Sequence, residues 1–237
     1  MKDGKEMIKA VIFDMFETLI THHKSPLYFG AHMAADAGIP EEEFLPVWRA
    51  TEDNRTLGKY TVDQVVEDIL EQKDCYKEEI VKLIMNKRKN VTRVCFQNLH
   101  PEIIPMLSSL KKQGILIGLI SNCFSEEAEA IRESILFPYF DAVCLSYEEG
   151  VMKPNTEIYH RCVSKLGVRL EECMYVGDGG SYELETARAL NMVPAQAVWY
   201  LKDGTNQPRK RMPEFMQLET PMEVIKYIEK EKEYGNI

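Results

Sequence analysis

From Asn98 onward, short apolar runs alternate with amphipathic stretches of about a dozen residues, the pattern of a parallel sheet whose strands are joined by helices. Few other architectures accommodate it. Strands are predicted over Ala10 to Asp14, Ile115 to Ile120, Ala142 to Leu145, Met174 to Gly177 and Ala195 to Trp199. Helices are predicted over Pro101 to Gln113, Ser125 to Ile135, Thr156 to Leu166 and Tyr182 to Leu190, with a last one near Pro221 to Lys230. Ser125 followed by Glu126 and Glu127 makes a helix start, and Gly114 and Gly167 make stops. The fold class is α/β.

Between Ile20 and about Phe96 the apolar residues recur at helical spacing and no strand-like run interrupts them. Ser25-Pro26 starts one helix, and Pro40 with Glu41, Glu42 and Glu43 starts another, because proline and acidic residues suit a first turn. Thr61 is the expected N-cap of a third helix through Val65, Val66 and Ile69, and Lys77 to Arg88 supplies a fourth. The expected organisation is a core domain of residues 1–19 and 97–237 interrupted by a helical domain of residues 20–96.

Chemistry concentrates where the strands end. The run Val11-Ile12-Phe13 delivers Asp14 to a strand end and breaks into the turn Met15-Phe16-Glu17-Thr18. In an open parallel sheet, ligands bind outside the carboxyl ends of the strands, so this carboxylate stands where a nucleophile or metal ligand belongs. The run Ile115 to Ile120 ends in Ser121-Asn122, Val151-Met152-Lys153-Pro154 follows Ala142 to Leu145, and Met174-Tyr175-Val176 ends in Gly177-Asp178-Gly179-Gly180. In this order the four segments resemble the motifs of the haloacid dehalogenase-like superfamily, and the resemblance covers nearly the whole chain. It implies a Rossmann-like parallel sheet with an inserted α-helical cap that closes over the site and excludes water.

The resemblance also implies roles. Asp14 is the nucleophile that forms a covalent aspartyl intermediate, later resolved by water. Lys153 offsets charge on Asp14 and on the transferring group, while Ser121 and Asn122 hold a phosphoryl or carboxylate oxygen. Mg²⁺ is the implied cofactor, held by Asp14, Asp178, the main-chain carbonyl of Phe16 and, through a longer arm than the usual aspartate, Glu183. Thr18 supports the turn. One departure stands out: phosphatases of the superfamily carry a second aspartate two residues after the nucleophile, and here that place is Phe16. Dehalogenases typically have an aromatic there.

The leading reading is therefore a Mg²⁺-dependent phosphatase of a small phosphorylated metabolite, since a dehalogenase has no use for Asp178 and Glu183 as metal ligands. The alternatives are a 2-haloacid dehalogenase, with Arg49 of the cap binding a substrate carboxylate, and a catalytically weak relative that binds phosphorylated ligands. Glu17 is expected to face solvent. Arg55, Gly58 and Lys59 precede a predicted helix; Arg55 is the cap candidate for binding substrate anions, against a plain reading of the three as solvated surface.

A net charge of −9 argues against general nucleic-acid or anionic-membrane binding, both of which need clustered Lys and Arg. Arg209-Lys210-Arg211, the one basic cluster, lies between Pro208 and Pro213 and reads as a solvated loop. No apolar run reaches the length of a membrane span, and Met1 to Glu6 leads straight into the first strand, so a cytoplasmic location is expected. The 6 cysteines show no C-x-x-C pair and are expected to be free thiols. The five histidines form no metal-binding pattern.

Overall fold

Strand β1 (Ala10–Phe13) enters the centre of the protein with every residue buried, as a β-branched and aromatic run without charges must. The computed structural model describes residues 7–24, 26–201 and 210–235. The expected start at Ser25, the N-terminal six residues, Gly204, Pro208 and Arg209 of the basic cluster lie outside them.

After β1 the chain leaves for a run of helices: α1 (Gly30–Ala37), α2 (Glu41–Ala50), α3 (Glu52–Thr56), α4 (Val62–Gln72) and α5 (Glu78–Gln97). Thr61 caps α4 reciprocally with Gln64, the hydroxyl accepting from the Gln64 N–H at 3.4 Å and the amide oxygen accepting from the Thr61 N–H at 2.9 Å. The apolar faces of α1, α2, α4 and α5 meet in a cluster of their own, around Met33, Phe44, Val66, Ile69 and Ile84. Two expectations are corrected here. The first helix begins at Gly30, and the fourth runs past Arg88 to Gln97, because Cys95 and Phe96 at its far end are drawn into the core below.

The chain then alternates through α6 (Ile103–Lys112), β2 (Leu116–Ser121), α7 (Ser125–Glu133), β3 (Ala142–Leu145), α8 (Ser146–Glu149), α9 (Thr156–Leu166), β4 (Cys173–Gly177), α10 (Glu183–Ala189), β5 (Val193–Ala197), β6 (Met216–Leu218) and α11 (Met222–Gly235). The six strands form one parallel sheet in the order β3-β2-β1-β4-β5-β6. Successive strand residues face opposite sides: Val11 and Phe13 join a cluster with α6, α7 and α11, while Ala10 and Ile12 join one with α9 and α10. Both faces are therefore covered, which is what an all-parallel sheet requires.

Strand β5 begins two residues earlier than expected and stops before Trp199. The Trp199 indole instead donates to the Thr18 carbonyl at 2.8 Å, and the Tyr200 hydroxyl donates to the Leu19 carbonyl at 3.3 Å. These two bonds pin the turn that follows Asp14. No described helix is long and apolar enough to cross a membrane, and all 6 cysteines are free thiols.

Candidate active site

Central position in the sheet brings β1 and β4 side by side, with the Asp14 N–H donating to the Val176 carbonyl at 2.9 Å. Asp14 and Asp178 thus emerge together from adjacent strand ends. Lys153, from the loop after α8, reaches between the acids: its Nζ donates to Asp14 Oδ1 at 2.6 Å and to Glu183 Oε2 at 2.5 Å. The Thr18 hydroxyl donates to the other Asp14 oxygen at 3.2 Å. All four charged groups are buried.

Glu183 is held more tightly than its sequence position suggests. Besides Lys153 it accepts from the Tyr175 hydroxyl at 2.9 Å and from the Gly179 N–H at 3.0 Å. It lies directly over Gly177, where an added Cβ would sit 2.0 Å from Glu183 Oε1. Only glycine fits. Asp178 is fixed from below by the Gly180 N–H at 2.8 Å, and its carbonyl accepts from buried Gln196 at 2.9 Å. Ser181 and Tyr182 beside them both adopt left-handed backbone conformations, at φ 53°, a strain that clusters at functional sites.

Electrostatics follow from this crowding. Burial pushes Asp14 up to about 7, with Glu183 adding to the rise and Lys153 opposing it. Burial likewise pushes Asp178 up to about 8, reinforced by Glu183 and Asp14. Burial alone would lower Lys153, yet the carboxylates of Asp14 and Glu183 hold its ammonium well above the ordinary lysine value. Three carboxylates thus share one cation. Asp14, Asp178 and Glu183 each offer an oxygen within 4.8 Å of the others, an all-oxygen donor set with surplus negative charge that suits a hard divalent cation.

The expected oxyanion donors are placed differently from one another. Ser121 is fully buried and its hydroxyl donates to the Asn122 carbonyl at 3.4 Å. Asn122 is committed to the lysine loop: its amide donates to the Lys153 carbonyl at 3.0 Å and to the Ser181 hydroxyl at 3.3 Å, and its oxygen accepts from the Lys153 N–H at 2.9 Å. It is a brace for Lys153. A cavity of about 350 Å³ opens beside these residues, bounded by Lys153, Asn122 and Ser181 on one side and by Glu52, Asp53 and Thr56 of α3 on the other.

Phe16 projects toward the insert, where its ring stacks on His22 with centroids 5.0 Å apart. The expectation of a solvent-facing Glu17 is corrected: its carboxylate accepts from the Thr21 hydroxyl and from the His22 N–H at 3.0 Å, and lies 3.4 Å from His22 Nδ1. Glu17 has a φ of 58°, which turns the side chain back under the loop. Burial opposes its ionisation, but the bonds from His22 and Thr21 hold it below the usual glutamate range.

The reading of Arg55, Gly58 and Lys59 as solvated surface is corrected for Arg55 alone, which is 1% exposed and packed over Trp48. Gly58 and Lys59 are exposed, with the Gly58 backbone lying against the Tyr147 carbonyl. Tyr175 is absent from the residues expected here, because a tyrosine within a buried apolar strand looks like core until its hydroxyl is seen between Lys153 and Glu183.

The family model for haloacid dehalogenase-like hydrolase matches residues 8–191, which spans every motif just described. The chain belongs to the haloacid dehalogenase-like hydrolases. Among relatives of this hydrolase, a glyceraldehyde 3-phosphate phosphatase of Methanocaldococcus jannaschii is 28% identical over 197 residues, covering 79% of this chain and 83% of that one. An N-acylneuraminate-9-phosphatase of Rattus norvegicus is 30% identical over 129 residues, 53% of this chain and 50% of that one. In fold, the hydrolase resembles a 2-haloacid dehalogenase of Pseudomonas syringae pv. Tomato DC3000, with a TM-score of 0.67 and 20% identity over 94% of this chain and 99% of that one.

Proposed function

We propose that this hydrolase is a Mg²⁺-dependent phosphoric monoester hydrolase acting on a small phosphorylated metabolite, with Asp14 as nucleophile. The observation that carries the reading is the buried set Asp14, Asp178 and Glu183 with Lys153 as its single ammonium. Attack by one anion on another requires compensating charge, and a cluster of three acids around one ammonium is suited to receive it as the acids ionise. The named phosphatases among its relatives support the same chemistry.

In this reading a carboxylate oxygen of Asp14 attacks phosphorus in line with the leaving oxygen. A P–O bond to Asp14 forms as the bond to the leaving group breaks, and the leaving oxygen takes up a proton from solvent water, since Phe16 offers none. Water then attacks the phosphoaspartate, releases inorganic phosphate and restores the carboxylate. Thr18 and Lys153 orient Asp14 throughout, while Asn122 and Glu183 hold Lys153 in place. Asp14, Asp178, the Phe16 carbonyl and Glu183 would hold Mg²⁺, which supplies charge neutralisation to the phosphoryl oxygens when bound. Residues 20–96 act as the cap that carries the leaving-group side of the site.

A second reading, 2-haloacid dehalogenation, is favoured by the aromatic Phe16 and by Arg49, which lines a cavity of about 420 Å³ among the helices of the insert. It leaves the acids at Asp178 and Glu183 without a purpose. Phosphate release from a panel of phosphorylated metabolites with Mg²⁺, with EDTA and with Asp14→Asn decides between them. Metal-dependent turnover abolished by the substitution is expected. Release of chloride from 2-chloropropionate without phosphatase activity would instead establish the dehalogenase, and metal-dependent phosphate-ligand binding without turnover would establish a binding protein.

A further inference from the structure

Two aromatic rings stand in the wall of the cavity of about 350 Å³ beside Lys153: Phe124 at the start of α7 and Tyr182 just before α10. Met152 and Pro154 add apolar surface. Phe124 is half-buried, and its N–H donates to Glu127 Oε2 at 2.8 Å. The same ring also lines the larger cavity of the insert, so it stands where the two spaces meet.

Tyr182 is 70% exposed, so packing into the core does not account for a ring at this place. Its position is nevertheless enforced. Ser181 and Tyr182 are consecutive left-handed residues at φ 53°, a conformation that L side chains resist. The Asn122 amide donates to the Ser181 hydroxyl at 3.3 Å, and the Thr186 hydroxyl donates to the Tyr182 carbonyl at 2.8 Å. The residue that braces Lys153 therefore also holds the strained turn. A strained backbone that carries an exposed ring to the mouth of a catalytic cavity points to a ligand for that ring.

The chemistry narrows what the ligand is. A positioned acid contributes about a hundredfold to ten-thousandfold to proton transfer onto a leaving group, and Phe16 has no proton to give. We propose that the substrate is an aryl phosphate, the phosphate monoester of a planar aromatic hydroxyl compound, whose ring packs against Phe124 and Tyr182 while its oxygen departs without help from an acid. The proposal rests on the phosphatase reading above and narrows it. As Asp14 forms its bond to phosphorus, the bond from phosphorus to the aryl oxygen breaks and its electron pair stays on that oxygen. The ring delocalises the charge until solvent water supplies the proton. An alkyl oxygen has no such delocalisation. Phosphoanhydrides also leave without an acid, but Glu52, Asp53 and Glu127 border the cavity, and a leaving group bearing phosphate charge is repelled there. Acyl phosphates leave readily too, yet offer nothing planar and apolar to the two rings.

The test measures phosphate release with Mg²⁺, as kcat/KM, from three kinds of compound. They are phenyl phosphates of graded leaving-group basicity, benzyl phosphate, which has the ring but an alkyl oxygen, and acetyl phosphate, which leaves easily but has no ring. Phenyl phosphate is expected to exceed benzyl phosphate by about a hundredfold or more, with rates falling steeply across the phenyl series as the leaving oxygen becomes more basic. Tyr182→Asn removes the ring where asparagine tolerates the left-handed backbone. It is expected to lower the ratio of phenyl to acetyl phosphate by about three- to tenfold, and Tyr182→Phe to restore that ratio. Equal rates for phenyl and benzyl phosphate, or a shallow dependence on basicity, would show that another acid such as Glu127 protonates the leaving oxygen and would overturn the proposal. An unchanged ratio in Tyr182→Asn would overturn it as well, because the ring would then serve the loop alone. The phosphatase reading survives each of these results. Absence of phosphate release from every compound, the activated esters included, would overturn that reading itself. The comparison among substrates needs only the wild-type protein, so it holds even where a substituted one fails to fold.

Discussion

Lys153 is where the site's electrostatics and its stability meet, because one ammonium is shared by two buried carboxylates. Lys153→Met removes the cation and leaves Asp14 and Glu183 facing each other. Breaking a buried pair in this way costs about 3–5 kcal/mol, expected as a lower midpoint in urea denaturation at pH 7, and turnover is expected to fall at least a hundredfold. Phe16 permits a different expectation. With a phenyl ring in place of an acid, nothing at that position protonates the leaving group, so the enzyme should favour substrates whose leaving oxygen needs no proton. Phe16→Asp is expected to accelerate alkyl phosphates more than aryl phosphates, on the order of tenfold or more, in parallel kcat/KM measurements. Equal acceleration of both would show that the ring is not standing in the acid's place.

At the scale of elements, the contact between Gly58 and Tyr147 of α8 sets how closely the insert approaches the sheet. A Cβ at Gly58 would fall 2.0 Å from the Tyr147 carbonyl oxygen, and the residue has a φ of +70°. Gly38 offers the matched control: its φ is +69°, but nothing lies within 4 Å of an added Cβ. Gly38→Ala should cost roughly 1 kcal/mol of left-handed strain and leave kinetics unchanged. Gly58→Ala should cost more and also raise KM, because α3, which bears Thr56 and Asp53, must lift from the cavity. Thermal melts and steady-state kinetics on the two variants separate strain from contact.

The same scale shows what can be read from the chain. β3 and α9 have the predicted boundaries, since each is bracketed by sharp signals such as Asn155 before Thr156 and Gly167 after Leu166. The strand-end residues Asp14, Lys153, Asp178 and Glu183 converge as their order implies. What escapes the sequence is decided by tertiary contact. β6 is three residues of ordinary composition that pair only because β5 is there, α5 lengthens because Phe96 finds the core, and Glu17 turns inward because His22 and Thr21 receive it. Arg55 reads as surface because an arginine carries no sign of burial in its letter; the Trp48 ring seven residues earlier supplies the reason.

For the molecule as a whole, the carboxylate cluster links pH, metal and stability. Asp14 and Asp178 bind their protons more tightly folded than unfolded, so between the ordinary aspartate range and pH 7–8 the folded state holds more protons. Stability of the metal-free protein therefore falls as pH rises through that window. Mg²⁺ needs the ionised acids, so its stabilisation should be small at pH 5 and large at pH 8. At a hundred times its dissociation constant it contributes about 2.7 kcal/mol, or roughly 5–10 °C in Tm for a chain of this size. Equal shifts at both pH values would separate the acids from the metal. The helical insert, finally, gathers its buried side chains from Tyr28 to Ile84 into a cluster distinct from the two that flank the sheet. Substitutions that reshape its inner wall can accumulate without disturbing the strands that aim Asp14. A lineage carrying this architecture can acquire new substrates by mutation while inheriting the bond-breaking apparatus unchanged.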